Sequence, residues 1–360
     1  YTCVRSGDCE LHRLAIDLGV DEVRYGGQKT RKLTDSSTPA LVRDTGKCVS
    51  CRRCVTVCNE VQGVGALFPQ GRGFTTLIGP AFASNLGDVA CVQCGQCASV
   101  CPTGAITIHS DIDRVWKAIH DPNIRVVAQV APAIRVALGE EFGHGPGWAE
   151  PGKVVAALKS IGVDMVFDTC FTADLTVVEE TAEFLERLSS GSRERLPQFT
   201  SCCPAWVKYV EQYHPEYLPN LSSCKSPQQM FGAVARRFLS SELGIEPESL
   251  YVVSVMPCTA KQFEASRTAF AADGRPDVDA VLTTQELARM IRETGVDFDK
   301  LPIAPFDLPL GVSTGAGMIF GNSGGVAEAV LRAAAELLAP EKKPGIRGTQ
   351  LVFEEVRGLE

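Results

Sequence analysis

Four short apolar runs mark the later part of the chain: "IRVVAQV" (124–130), "VDMVFDT" (163–169), "LYVVSVM" (250–256) and "VDAVLTT" (278–284). Near-continuous apolar stretches of this length read as strands buried on both faces. Between and after them, "GKVVAALKSIG", "LTVVEETAEFLERLSS", "SPQQMFGAVARRFLSSELG", "ELARMIRETG" and "GGVAEAVLRAAAELL" carry helical periodicity. Alternating strands and helices predict an α/β unit, a mostly parallel sheet flanked by helices. In such sheets ligands lie beyond the carboxyl ends of the strands. The distinctive segments fall there: "APA" after the first run, "DTC" after the second, "TSCCPAW" after a short "PQF" run, and "MPC" ending the next. Four loops converging on one edge would make a site.

The earlier part of the chain is patterned by cysteine rather than by hydrophobic period. The 360 residues contain 15 cysteines, more than core filling requires. Clustered C-x2-C spacings point to metal rather than to a disulfide framework. "CVSCRRCVTVC" supplies Cys48, Cys51, Cys54 and Cys58, and "CVQCGQCASVCP" supplies Cys91, Cys94, Cys97 and Cys101. Both runs are C-x2-C-x2-C-x3-C, in which three thiolates wrap one cubane and the fourth reaches the other. Cys48, Cys51, Cys54 and Cys101 should hold one [4Fe–4S] cluster, and Cys91, Cys94, Cys97 and Cys58 a second. A zinc ribbon needs two C-x2-C pairs, not eight cysteines in duplicated order. This region is expected to be an α+β unit like the bacterial 2[4Fe–4S] ferredoxins. Two clusters in series make an electron wire. Cys3 and Cys9 are read equally as remnants of a further N-terminal [4Fe–4S] site or as free thiols.

Net charge changes the picture only by exclusion. At −8 the chain lacks the basic balance of a nucleic-acid binder. No apolar run approaches the roughly 18 residues of a membrane span.

"TSCCPAW" (200–206), "MPCTAK" (256–261) and "FGNSGGVAEAVLRA" (320–333), preceded by the two ferredoxin-type runs, closely resemble the [FeFe]-hydrogenase large subunit over nearly the whole chain. The resemblance implies an H-cluster, a [4Fe–4S] cubane joined through a cysteine sulfur to a di-iron subsite with CO, cyanide and azadithiolate. It implies Cys203 and Cys258 as cubane ligands and Cys202 as the proton-relay thiol. Neighbouring residues on an extended chain point apart, so one thiol can bind iron while the other passes protons. At about 100° per residue, Val177, Val178, Phe184, Leu185 and Leu188 form an apolar stripe with Glu180, Glu183 and Arg187 along one border. That pattern alone describes a solvated helix edge. The resemblance instead implies a path running Cys202, water, Glu180, Ser222, Glu183 and Arg187 at the exit. It also implies Lys261 as a donor to a cyanide ligand, with Ala131, Pro132, Ser226, Pro227, Gln228, Met256, Pro257 and Phe320 around the cofactor. Met256 and Phe320 suit a plain core reading nearly as well. Cys170 and Cys224 are expected as small buried residues.

The expected organisation is a remnant of an upstream module at 1–37, a ferredoxin-like domain at 38–114 and the H-cluster domain at 115–360. The family's terminal C-x3-C, which supplies two further ligands, is absent from these 360 residues, so the isolated chain is expected to be inactive. Both ends break in mid-pattern, as in a fragment of a longer reading frame or a natural split with a second subunit. The expected function is reversible H2 oxidation and proton reduction in an anaerobic cytoplasm. Expected partners are maturation factors for the subsite and ferredoxin or an NAD(P)H-linked flavoprotein subunit as electron carrier. The alternatives are a non-catalytic assembly scaffold and a hydrogen sensor, against which Cys202, Glu180 and Glu183 argue.

Overall fold

The computed structural model describes residues 5, 7–22, 24–27, 32–191, 193–272 and 274–338. All four apolar runs are strands of one sheet: β1 (Arg125–Val130), β2 (Met165–Asp168), β3 (Leu250–Val255) and β4 (Ala280–Leu282). Their spatial order is β4-β3-β1-β2, and every neighbouring pair is parallel. Val130 stands opposite both Val255 and Asp168, so three strands end level. The segments that follow, Ala131, Thr169 and Met256, therefore leave the sheet at one edge. The short "PQF" run is not part of that sheet: Phe199 makes one isolated parallel bridge to Leu221.

Helices cover both faces and bury the apolar side chains of all four strands in one core. α1 (Pro151–Ser160) starts with proline in its first turn, where a missing N–H costs nothing. α2 (Thr169–Ser189) begins directly on β2 because the Asp168 carboxylate accepts from the Cys170 amide as an N-cap. "DTC" is thus a strand-to-helix junction rather than a loop, and Cys170 is buried in the first turn. The helix Thr284–Glu293 opens with a capping box, in which Thr283 accepts from the Glu286 amide and Glu286 accepts from the Thr283 amide. Thr283→Ala should cost about 1 kcal/mol in urea denaturation.

The cysteine-rich unit is a separate layer. Leu41–Asp44 pairs antiparallel with Ile106–Ile108 and with Thr34–Asp35, and Phe68–Gln70 forms a hairpin with Leu77–Gly79. Leu41, Leu67, Ile78, Leu86 and Ile106 pack with the cysteines in a second core. Asp35 lies inside this unit, paired with Arg43 at 3.4 Å and accepting from the Leu86 amide at 2.9 Å. At the other end, the helix Ile112–Ile119 spans residue 114, and its Ile112, Val115 and Ala118 belong to the larger core. Both expected boundaries, 37/38 and 114/115, therefore cut through built structure.

The two units share a tight seam. Ala205 and Tyr209, on the helix α3 (Pro204–Tyr213), pack on the smaller core. The Gln262 amide donates to the His109 carbonyl at 2.7 Å, and the Asp111 carboxylate accepts from the Val281 amide at 3.0 Å. Among the described residues no helix is long and apolar enough to cross a membrane.

Candidate active site

The two cysteine loops are near copies in backbone. Ser50 and Gln93 have φ of 55° and 58°, and Arg52 and Gly95 have φ of 65° and 78°. These left-handed turns bring thiols spaced three apart onto one concave side. One cavity is lined by Cys48, Cys51, Cys54 and Cys101, and a second by Cys58, Cys91, Cys94 and Cys97. The fourth cysteine of each run faces the other site, as the spacing predicts. Among the described residues no three ligating side chains close on a single metal ion. The sulfurs instead surround a volume, which suits a cubane better than zinc. Burial, then Cys48, Cys101 and Cys51, push the Cys54 thiol up to about 12. Burial raises Cys91 to about 11. Such thiols are stable as thiolates only when a metal compensates the charge. Of the N-terminal pair, Cys9 caps the helix Glu10–Asp17, and Cys3 lies outside the described residues.

Beyond the second cluster loop, Cys203 caps the N-terminus of α3 and Cys258 follows β3. Burial raises the Cys258 thiol, as do nearby Cys203 and Cys94, against the Ala260 amide and Lys261. Cys94 is raised by burial and likewise by Cys58 and Cys203. Thiols from three loops thus lie within electrostatic reach of one another near the strand edge. The donors are soft thiolates with no carboxylate among them, which fits an iron–sulfur group.

Cys202 serves a different direction. Its half-buried thiol is pushed up by burial to about 11, with Lys261 opposing and Glu180 adding to the rise. Glu180 is 0% exposed, and neither carboxylate oxygen has a hydrogen-bond partner of full geometry. Burial lifts this carboxyl to about 7, although the Ser222 hydroxyl and the Ser201 backbone lie close enough to oppose the rise. Ser222 Oγ donates to Glu183 Oε2 at 3.1 Å, and the Ser223 amide and hydroxyl each donate to the same oxygen at 3.0 Å. Burial works against the Glu183 anion, but the Arg187 hydrogen bond and those of Ser223 hold its carboxyl below the usual range.

The helix carrying these groups is rotated from the expected orientation. Its buried line runs through Ala173, Thr176, Val177, Glu180 and Arg187, while Val178 and Leu188 are exposed. Arg187 occupies the inner face because neighbouring loops satisfy it, whereas Glu180 is buried there with its carboxylate oxygens unpartnered. Arg187 is 2% exposed and donates to the carbonyls of Arg195, Asn220 and Leu221 as well as to Glu183. It is a buried clamp, not the exit. The exposed cation at the mouth is Arg195, 3.5 Å from Glu183 Oε1. It lies outside the helical pattern, so periodicity gives no sign of it.

Lys261 Nζ donates to the Cys202 carbonyl at 2.8 Å and to Glu264 Oε2 at 3.0 Å, which leaves one ammonium proton for the site. Buried Glu264 is the group that orients it, a role that nothing in the sequence marks. The same oxygen also accepts from Ser226 Oγ and Gln228 Nε2, so both side chains brace Lys261. Gln228 Oε1 is buried without a partner. Ala131 and Met256 belong to the core, Pro227 is buried beside Gln228, Phe320 and Pro132 are half-buried, and Pro257 is exposed. Cys170 is buried 3.3 Å from an Arg135 nitrogen, and Cys224 is half-buried near Glu183. Neither faces the cluster cysteines.

Two four-cysteine cavities, with Cys203 and Cys258 near the second, are the donor set of an iron–sulfur protein. Residues 124–360 match the family model for the iron only hydrogenase large subunit, C-terminal domain, and residues 47–105 match the 4Fe-4S dicluster domain. The chain belongs to the iron-only, or [FeFe], hydrogenase large-subunit family, with sites for two [4Fe–4S] clusters and for the family's H-cluster. It is 48% identical to the NADP-reducing hydrogenase subunit HndD of Solidesulfovibrio fructosivorans, over 99% of this chain and 61% of that protein. Iron hydrogenase 1 of Clostridium pasteurianum is 38% identical, with the same coverage of both chains. The chain therefore spans about three-fifths of the length of these relatives. Cytosolic iron-sulfur assembly component 3 of Mus musculus is 34% identical over 74% of this chain and 58% of its own. A solved variant of [FeFe]-hydrogenase HydA1 from Chlamydomonas reinhardtii superposes with a TM-score of 0.61 at 41% identity, covering 69% of this chain and 62% of that one.

Proposed function

We propose that the complete protein interconverts H2 with protons and electrons. When bound, the H-cluster would supply the H–H bond chemistry, and the two four-cysteine sites would hold the [4Fe–4S] clusters of the electron route. Cys203 and Cys258 are the ligands that this chain would give it. Cys202 holds the proton nearest the chemistry and exchanges it with Glu180 through a water. Glu180 exchanges it with Ser222 and Glu183, Arg187 fixes Glu183 in place, and Arg195 stands at the mouth. Lys261, held by Glu264, would hydrogen-bond the cofactor's cyanide.

What supports this reading is the difference in surroundings between adjacent thiols. Cys203 acts electrostatically on Cys258 and Cys94, whereas Cys202 feels Lys261 and then Glu180, a buried carboxyl lifted to about 7. A buried acid titrating near neutrality beside a donor is suited to proton exchange. An assembly scaffold has no use for such a path.

The electron partner is proposed to be ferredoxin or an NAD(P)H-linked flavoprotein subunit, in the cytoplasm, where exposed thiols such as Cys51 persist. The matured protein should evolve H2 from reduced methyl viologen and reduce viologen under H2. Full iron loading with turnover in neither direction would discard catalysis in favour of a scaffold or sensor. Turnover with reduced ferredoxin compared with NADPH plus a flavoprotein subunit separates the carriers, and cell fractionation tests the compartment.

A further inference from the structure

The duplicated cysteine loops differ at one position in a way that φ does not explain. Arg52 and Gly95 occupy equivalent sites with φ of 65° and 78°. The first loop therefore accommodates a side chain in this conformation. What forbids one in the second loop is a neighbour: a Cβ on Gly95 would lie 2.4 Å from Thr259 Oγ1 and 3.0 Å from its Cγ2. Thr259 immediately follows Cys258. Its hydroxyl donates to the Gln93 carbonyl at 2.9 Å, and Gln93 immediately precedes Cys94. Both residues are buried, and Gln93 is held at φ 58°. A left-handed, non-glycine residue is retained only where its surroundings fix it.

We propose that Thr259 is a positioning residue that sets the gap between the inner four-cysteine site and the Cys203–Cys258 site, and so the electron step between them. This rests on the iron–sulfur reading above. The hydrogen bond completes a path from the Cys94 backbone through the Gln93 carbonyl to the Thr259 hydroxyl and the Cys258 backbone. The step would be a one-electron transfer between the groups that the two sites would hold, with no bond or proton exchanged. Gly95 allows the close approach, and the hydroxyl fixes it.

The test uses the complete, matured protein with Thr259→Val, which keeps shape but removes the donor, and Thr259→Ser, which restores it. Two measurements separate joint from chemistry. H2/D2O isotope exchange reads the Cys203–Cys258 site without electron transport, and viologen-linked turnover needs the wire. In Thr259→Val, viologen-linked turnover should drop several-fold with isotope exchange retained, and Thr259→Ser should recover it. Amide hydrogen exchange across residues 91–97 should quicken about fivefold on loss of one hydrogen bond. Gly95→Ala, which presses on the joint from the other side, should give the same pattern. Unchanged viologen turnover and unchanged amide exchange in Thr259→Val would overturn the proposal, as would an equal loss of both activities. If the parent shows no isotope exchange, the hydrogenase reading fails, and the amide exchange still decides whether Thr259 holds the joint.

Discussion

Cys202→Ala in the complete, matured protein should lower H2 evolution from reduced methyl viologen by on the order of a hundredfold or more, the range expected on losing a positioned proton donor. Iron content and visible absorption should not change, because Cys203 is the proposed ligand. The expectation follows from the surroundings of the thiol. Glu180 is among its charged neighbours, and Lys261 anchors its backbone carbonyl. Serine should restore little. It can hydrogen-bond, but its hydroxyl titrates far above a thiol and will not exchange a proton readily. Equal turnover by parent and alanine variant would remove Cys202 from the path.

The second large effect belongs to Glu180, and it has two opposite faces. Glu180→Gln should cut turnover by about a hundredfold, since the amide cannot accept and pass a proton. The same substitution should stabilise the fold above neutral pH. Burial raises the folded-state carboxyl from its usual 4.5 to about 7, so the folded protein holds this proton more tightly than the unfolded chain. Stability is therefore lost as pH rises between those values, and the penalty is complete above about 7. At about 1.4 kcal/mol per pH unit, that shift amounts to roughly 3 kcal/mol. Parent and Glu180→Gln should denature nearly alike at about pH 4, below both values, and the variant should be more stable at about pH 8. Parallel denaturation curves at the two pH values would show that Glu180 is not held in this state.

Much of the fold was legible because its signals are local. Continuous apolar runs located all four strands, and thiol spacing predicted the exchange of Cys58 and Cys101 between sites. The helix at Thr169–Ser189 was misjudged where long-range contacts override periodicity. Its buried line follows Glu180 and Arg187, and the partners of Arg187 are the Asn220 and Leu221 carbonyls, far along the chain. The start of that helix depended on Asp168 turning back on the Cys170 amide. Glu264, Arg195 and Thr259 were missed for a related reason. Each acts through one contact to a separate loop, and residue type at those positions carries no signature. The resemblance placed Arg187 at a surface, whereas three backbone carbonyls bury it.

Exposure is uneven among the cysteines, and this bears on how the protein is handled. Cys51 on the outer loop and Cys203 at the strand edge are both exposed, whereas Cys54, Cys91, Cys97 and Cys101 are buried. Chelators should therefore attack from two ends, reaching the outer four-cysteine site and the strand-edge site before the site between them. A faded colour and a failed turnover assay then report different losses, and iron counted per protein tells them apart.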